Sequence, residues 1–211
     1  MEGTRNKALA AGIVLLLFLA WAFYKPANSR LVSADSVREL PSMSVLEDGD
    51  IILRRADGLL SDVARNFSST EKRFSHVGII MHAGAGISVI HSIQDEGKGY
   101  NGVVSENLQA FMQEARDWAV YRIRLPADIR KNIARKAVMY ANESITFDND
   151  FDLNTWNSMY CTELVFHVIN ESTGKFLIHP GSRVLGKSFI SIEDSYRNPA
   201  MFLVQQAAGE K

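Results

Sequence analysis

A single cysteine, Cys161, stands among 211 residues, which excludes an intrachain disulfide and any cysteine-rich zinc site. Charge asymmetry is also lacking. Lys and Arg number 23 against 24 Asp and Glu, a net charge of −1, and no basic run forms a nucleic-acid footprint. No segment repeats. What remains is an ordinary balance, 46% hydrophobic and 22% charged, in a chain long enough for one globular domain with its own core.

One long apolar run stands out. Residues 8–24 are apolar almost throughout, with Arg5 and Lys7 before them. About 17 residues is the lower end of what crosses a bilayer as a helix. Trp21 and Tyr24 suit the membrane interface and Lys25 its far edge. A cleaved signal peptide, with Ala20-Trp21-Ala22 as its small-x-small site, competes with this reading. The bulky Phe18, Phe23 and Tyr24 around that site favour an uncleaved anchor. The expectation is an anchor over residues 1–25, a linker over 26–45 and a folded domain over 46–205. Positive charge ahead of the span places the domain on the periplasmic or exterior side of an inner membrane, or exports it if the segment is cleaved.

Within the domain, Leu46-Glu47-Asp48-Gly49-Asp50 is a turn feeding the short strand Ile51-Ile52-Leu53, and residues 61–66 read as a helical turn or two. Residues 74–83 predict a strand, Gly84-Ala85-Gly86 a turn, and residues 87–93 its hairpin partner. A polar loop over 94–102, a short strand over 102–105, a helix over 107–112 and a strand over 119–125 follow. Pro126 opens a helix with a buried stripe of Ile129, Ile133, Ala137 and Tyr140. A loop over 143–159 leads to a helix in which Leu164, Val165, Val168 and Ile169 recur at helical spacing, and residues 189–192 and 201–204 predict closing strands. Hairpins with a few helices, rather than βαβ units, make the class α+β.

Cys161 falls at the first turn of that last helix, where free N–H groups and the positive dipole end favour thiolate over thiol. A sulfur so placed is a candidate nucleophile whose own N–H can help hold an oxyanion; the alternative is a small buried hydrophobe. A nucleophilic cysteine needs a base and a group that orients the base. His76 lies in the best strand, and His91 on its hairpin partner is placed to meet it across the ladder. Gly78, two residues along the same face, leaves room beside the imidazole. His82 shares that face, His167 points away from Cys161 on its helix, and His179 sits in a loop. Asp148, Asp150 and Asp152 alternate as in a calcium loop, but glycine is missing from the sixth position and no closing glutamate follows, so a site-shaping loop is preferred.

Gly49-Asp50-Ile51-Ile52, Ser75-His76-Val77-Gly78-Ile79, Val89-Ile90-His91, Phe147-Asp148 with Phe151, and Tyr160-Cys161-Thr162-Glu163-Leu164-Val165, in that order, resemble the permuted papain-like amidases of the YaeF/YiiX group. These are relatives of NlpC-type cysteine peptidases and of the lecithin:retinol acyltransferase group, and the resemblance covers roughly residues 46–171. It implies a permuted papain-like fold, with a strand barrel or sheet packed on the cysteine helix, and it calls for no cofactor and no metal. It implies Cys161 as nucleophile and His76 as base, with His91 where glutamate is frequent and where the acyltransferase branch has histidine. Tyr160 then lines the acyl site or packs as an ordinary aromatic, and Asp148 shapes the loop and contacts substrate. The leading expectation is a membrane-anchored cysteine hydrolase cleaving an amide, with a peptide or peptidoglycan fragment as substrate. The alternatives are lipid-directed acyl transfer or thioester chemistry by the same Cys-His pair, and a non-catalytic peptide- or partner-binding shell. The sequence gives no oligomeric state.

Overall fold

The structure is a computed structural model and describes residues 40–57, 64–66, 68, 70–113, 115–184 and 186–208. The expected anchor, most of the expected linker and the first half of the helical turn over 61–66 lie outside the described residues. No helix among the described residues is long and apolar enough to cross a membrane. All the described elements fall within one compact unit, Arg38–Lys211.

A 3-10 turn at Met43–Val45 leads to strand β1 (Ile51–Arg55). The hairpin β2 (His76–Ala83) and β3 (Gly86–Asp95) follows, then β4 (Tyr100–Asn107), α1 (Leu108–Met112) and β5 (Asp117–Ile123). Helices α2 (Ala127–Asn142) and α3 (Cys161–Thr173) precede the two-stranded ribbon β6 (Ser182–Val184) and β7 (Lys187–Phe189). Helix α4 (Ile192–Tyr196) and β8 (Met201–Gln206) close the domain. Six strands form one sheet in the order β4-β3-β2-β1-β5-β8, every neighbouring pair antiparallel. β4 and β8 are its two edges, so the sheet is open. Of the barrel or sheet expected, the sheet is found, with helices packed on it.

Burial on both faces explains why β1 reads as an unbroken apolar run. Ile51 and Leu53 point into the larger core with Val77, Ile79 and Ile90, under α2 and α3; Ile52 points into the second core with Ile80, Val89 and Phe111. His76 and Gly78 share the Ile80 face by strand parity. In α2, Ile133, Ala137 and Tyr140 of the expected stripe are buried, Ala134 joins them, and Ile129 is only partly covered. Gly174, at φ 61°, ends α3 in the left-handed region that glycine enters at little cost.

Two expectations fail for identifiable reasons. Residues 94–102 are not one loop: β3 and β4 stay paired through Ile93↔Gly102, Gln94↔Asn101 and Asp95↔Tyr100. Polar residues on an exposed ladder carry no alternation to reveal it. Residues 189–192 are not one strand: β7 ends at Phe189 and Ile192 opens α4. The switch is chemical. Ser191 Oγ accepts the Asp194 N–H at 3.3 Å and Asp194 Oδ2 accepts the Ser191 N–H at 2.7 Å, a reciprocal cap.

Candidate active site

The start of α3 is pinned from three sides. The Tyr160 N–H donates to Glu163 Oε2 at 3.1 Å, the Thr162 hydroxyl to the Ile190 carbonyl at 2.6 Å, and the Ser92 hydroxyl of β3 to the Met159 carbonyl at 2.5 Å. Tyr160 is 2% exposed, stacked on Phe189 at 5.0 Å, and its hydroxyl oxygen accepts the Ile190 N–H at 3.0 Å. These contacts pack Tyr160 at the helix start. Cys161 itself is partly exposed.

The sulfur lies where two strands part. Pairing of β1 with β2 continues to Arg54↔His76, but pairing of β2 with β3 stops at Ile79↔Ile90. The N–H of Val77, adjacent to His76, is thereby open on the β3 side and is directed to Cys161 Sγ, as are the N–H groups of Cys161 and Thr162. The last two belong to the first turn of α3, where N–H groups have no helical acceptor. Three donors thus converge on the atom that would carry negative charge.

His76 Nε2 lies 2.9 Å from His91 Nδ1. His91 is fully buried, and its Nε2 faces Glu106 Oε2 at 3.5 Å, long for a hydrogen bond, with no other partner for either atom. The second Glu106 oxygen accepts from Lys98 Nζ at 2.9 Å. His91, held opposite Val104, and Glu106, held opposite Val89, share one sheet face. The groups facing each ring favour one pair of tautomers. Glu106, held down at about 2 by the contact from His91 and that from Lys98, is a carboxylate and only accepts, so His91 Nε2 bears hydrogen. His91 is neutral, its pKa lowered by burial, so its Nδ1 accepts from His76 Nε2–H. His76 is held well below the ordinary imidazole range, by burial first, and in that pair of tautomers its Nδ1 is bare.

Phe111 closes the back of this arrangement, its ring 5.8 Å from His76, 5.1 Å from His91 and 4.7 Å from the Arg54 guanidinium carbon. Arg54 is 4% exposed and donates to the Phe111 carbonyl at 2.5 Å. Its charge opposes protonation of both histidines and favours a thiolate. The resting sulfur is nevertheless a thiol. Burial pushes Cys161 up to about 11 and outweighs the three N–H groups and Arg54. Among the described residues no hydrogen bond joins Sγ to the His76 ring.

The remaining candidates are spent on structure. Asp148 is 3% exposed, and its two oxygens accept the N–H groups of Asp150 at 2.8 Å and Asp152 at 2.7 Å, so it shapes the loop ahead of Cys161 from within. His82 pairs with Asp48 at the far end of β2, and His179 meets Phe176 edge-on. His167 sits between Glu163 and Glu171, one turn away on either side, facing away from the sulfur as its helical position requires. Glu106, Lys98, Arg54 and Phe111 are the site residues that the sequence did not single out. The one signal available for Glu106 was its separation of fifteen residues from His91 across a Gly-containing turn.

The site thus gathers Cys161, His76, His91 and Glu106, with the histidine strand ahead of the cysteine helix. A family model described as permuted papain-like amidase enzyme, YaeF/YiiX, C92 family, matches residues 45–197. The chain belongs to this family. As a permuted papain-like amidase it is a hydrolase of the cysteine amidase type. The crystal structure of YiiX from Escherichia coli O157:H7, described as a metalloprotein, has the same fold. The TM-score is 0.62 at 16% identity, over 76% of this chain and 97% of that one. Comparison with curated proteins gave no match. In this amidase no group of three or more His, Cys, Asp or Glu side chains among the described residues is arranged to hold a metal ion.

Proposed function

We propose that this protein hydrolyses an amide bond of a peptide by way of a Cys161 acyl-enzyme. The observation that carries the reading is the 2.9 Å contact of His76 with His91, which leaves a bare Nδ1 on the strand whose next N–H, that of Val77, meets the sulfur. As Sγ attacks the carbonyl carbon, His76 Nδ1 takes its proton, and the carbon–sulfur bond forms while the carbonyl π bond becomes an oxyanion. The N–H groups of Cys161 and Thr162 lie where that charge arises. Collapse breaks the carbon–nitrogen bond, and the imidazolium returns the proton to the leaving amine. Water, deprotonated by the same nitrogen, then releases the acid and restores the thiol.

His91 and Glu106 hold the His76 ring and stabilise its transient positive charge. This removes the main support for a non-catalytic shell: the carboxylate absent from the position of His91 stands one step further along the relay. The lipid-directed alternative has no observation in its favour. A peptide outside an inner membrane, a cell-wall fragment among the candidates, is the substrate we infer, with residues 1–25 as tether. The test is hydrolysis of peptide amides by the full chain. Activity should vanish in Cys161→Ala and fall by about 10²–10⁴ in His76→Ala, the usual contribution of a general base. Activity that survives both substitutions would exclude the mechanism.

A further inference from the structure

A second concave site lies between the segment leading into β2 and the end of α4, and neither Cys161 nor His76 lines it. The cavity is about 650 Å³ and is walled by Tyr121 of β5 and Tyr196 of α4, whose ring centroids are 5.0 Å apart, with Glu71 and Arg197 on its polar side. Its floor is held in place. The Glu193 carboxylate accepts the N–H groups of Thr70 at 3.2 Å and Glu71 at 3.0 Å, and Phe74 meets Tyr196 edge-on at 5.6 Å.

Tyr196 is 3% exposed, and its hydroxyl is buried with no hydrogen bond of good geometry among the described residues. Its near partner is the Glu71 carboxylate, and the hydroxyl oxygen keeps the capacity to accept a hydrogen bond. Burial and then the Glu71 carboxylate keep both phenols protonated and able to accept. Arg197 Nη1 approaches Glu71 Oε2 only to 3.9 Å, with the two side chains 48% and 35% exposed, so this ion pair is loose and easily displaced. A carboxylate, two phenol oxygens and two aromatic faces together select for a cation that donates hydrogen bonds.

We propose that this cavity binds the primary ammonium group of a small amine or of the amino end of a peptide. Glu71 serves as counter-ion, the Tyr196 hydroxyl accepts a hydrogen bond, and Arg197 is the resident cation that the ligand displaces. Only the choice of a peptide end as natural occupant rests on the amidase reading; binding itself does not.

The test is a calorimetric titration of the full chain with alaninamide, which carries an ammonium, and with N-acetylalaninamide, which carries none. Alaninamide should bind and the acetylated compound should not. Glu71→Gln should weaken binding by about tenfold, the loss of one charge-assisted hydrogen bond. Tyr196→Phe should weaken it without lowering Tm, and Arg197→Ala should tighten it about twofold or more because the competing cation is gone. Tighter binding of alanyl-alaninamide than of alaninamide assigns the site to peptide ends, and equal binding assigns it to small amines. Equal binding of acetylated and free compounds, indifference to Glu71→Gln, or no binding of either amine would overturn the proposal. Cys161→Ala should bind alaninamide as the wild type does, so loss of hydrolysis and loss of binding are read separately.

Discussion

At Cys161 the proton stays on sulfur because burial costs the charged form more than three N–H groups and a nearby guanidinium return. Two consequences are measurable. The ultraviolet absorbance of thiolate should titrate near 11 in the free protein, above the ordinary cysteine value of 9.0. The acid limb of kcat/KM should lie below pH 6.5, because the His76 pKa is depressed and the base stays unprotonated until pH falls through that lowered value. An acid limb above 6.5 would contradict the assignment of His76.

Glu106 supports a third prediction. Its pKa is lowered from 4.5 to about 2 in the folded protein, so its contribution to stability is full above about pH 4.5 and is lost as pH falls toward 2. Urea titrations of wild type and Glu106→Gln should therefore differ at neutral pH and converge through that window. The same substitution should lower kcat/KM by about tenfold to a hundredfold, part of the 10²–10⁴ of general-base catalysis, as His91 and His76 lose their fixed tautomers. Nitrogen chemical shifts of the two rings report that loss directly.

At the scale of the element, the site exists because β2 and β3 separate at one end and because Gly78 has no side chain. A Cβ at Gly78 would fall well inside contact distance of Val89 Cγ1 and 3.3 Å from the His91 Cβ. Gly78→Ala should cost about 1–3 kcal/mol as an overpacking change and should move His91 off His76, so that kcat/KM falls further than the stability loss alone explains. Ser92→Ala should cost a similar 1–3 kcal/mol, since it strips the buried Met159 carbonyl of its donor just ahead of the nucleophile. Denaturant unfolding checks both.

Much of this was legible in the residues. Alternation and a Gly-Ala-Gly turn placed His76 and His91 on paired strands, and a glycine on the same face marked the space between them. The helical recurrence of Leu164, Val165 and Val168 placed Cys161 at a helix start. Glu106 was hidden because β4 meets β3 through the polar stretch 94–102, where no hydrophobic period fixes the register. Arg54 reads as the solvated end of an apolar run, yet it is buried because Phe111, brought over by α1, offers it both a carbonyl and a ring. Side chains buried by a partner distant in sequence leave no local pattern.

At the scale of the molecule, one open antiparallel sheet with a core on each face carries the base and its relay on one face and the cysteine helix on the other. The sulfur reaches across only where the sheet opens between β2 and β3. The chemistry therefore depends on the whole sheet holding that opening, and on Cys161 and His76 acting as one unit. Exposing the full chain to a small activated ester and weighing the intact protein tests this most directly. The prediction is a single acyl adduct on Cys161, absent in Cys161→Ala and formed at least about 10²-fold more slowly in His76→Ala. An adduct rate unchanged by His76→Ala, or no adduct on Cys161 in the folded protein, would contradict the account.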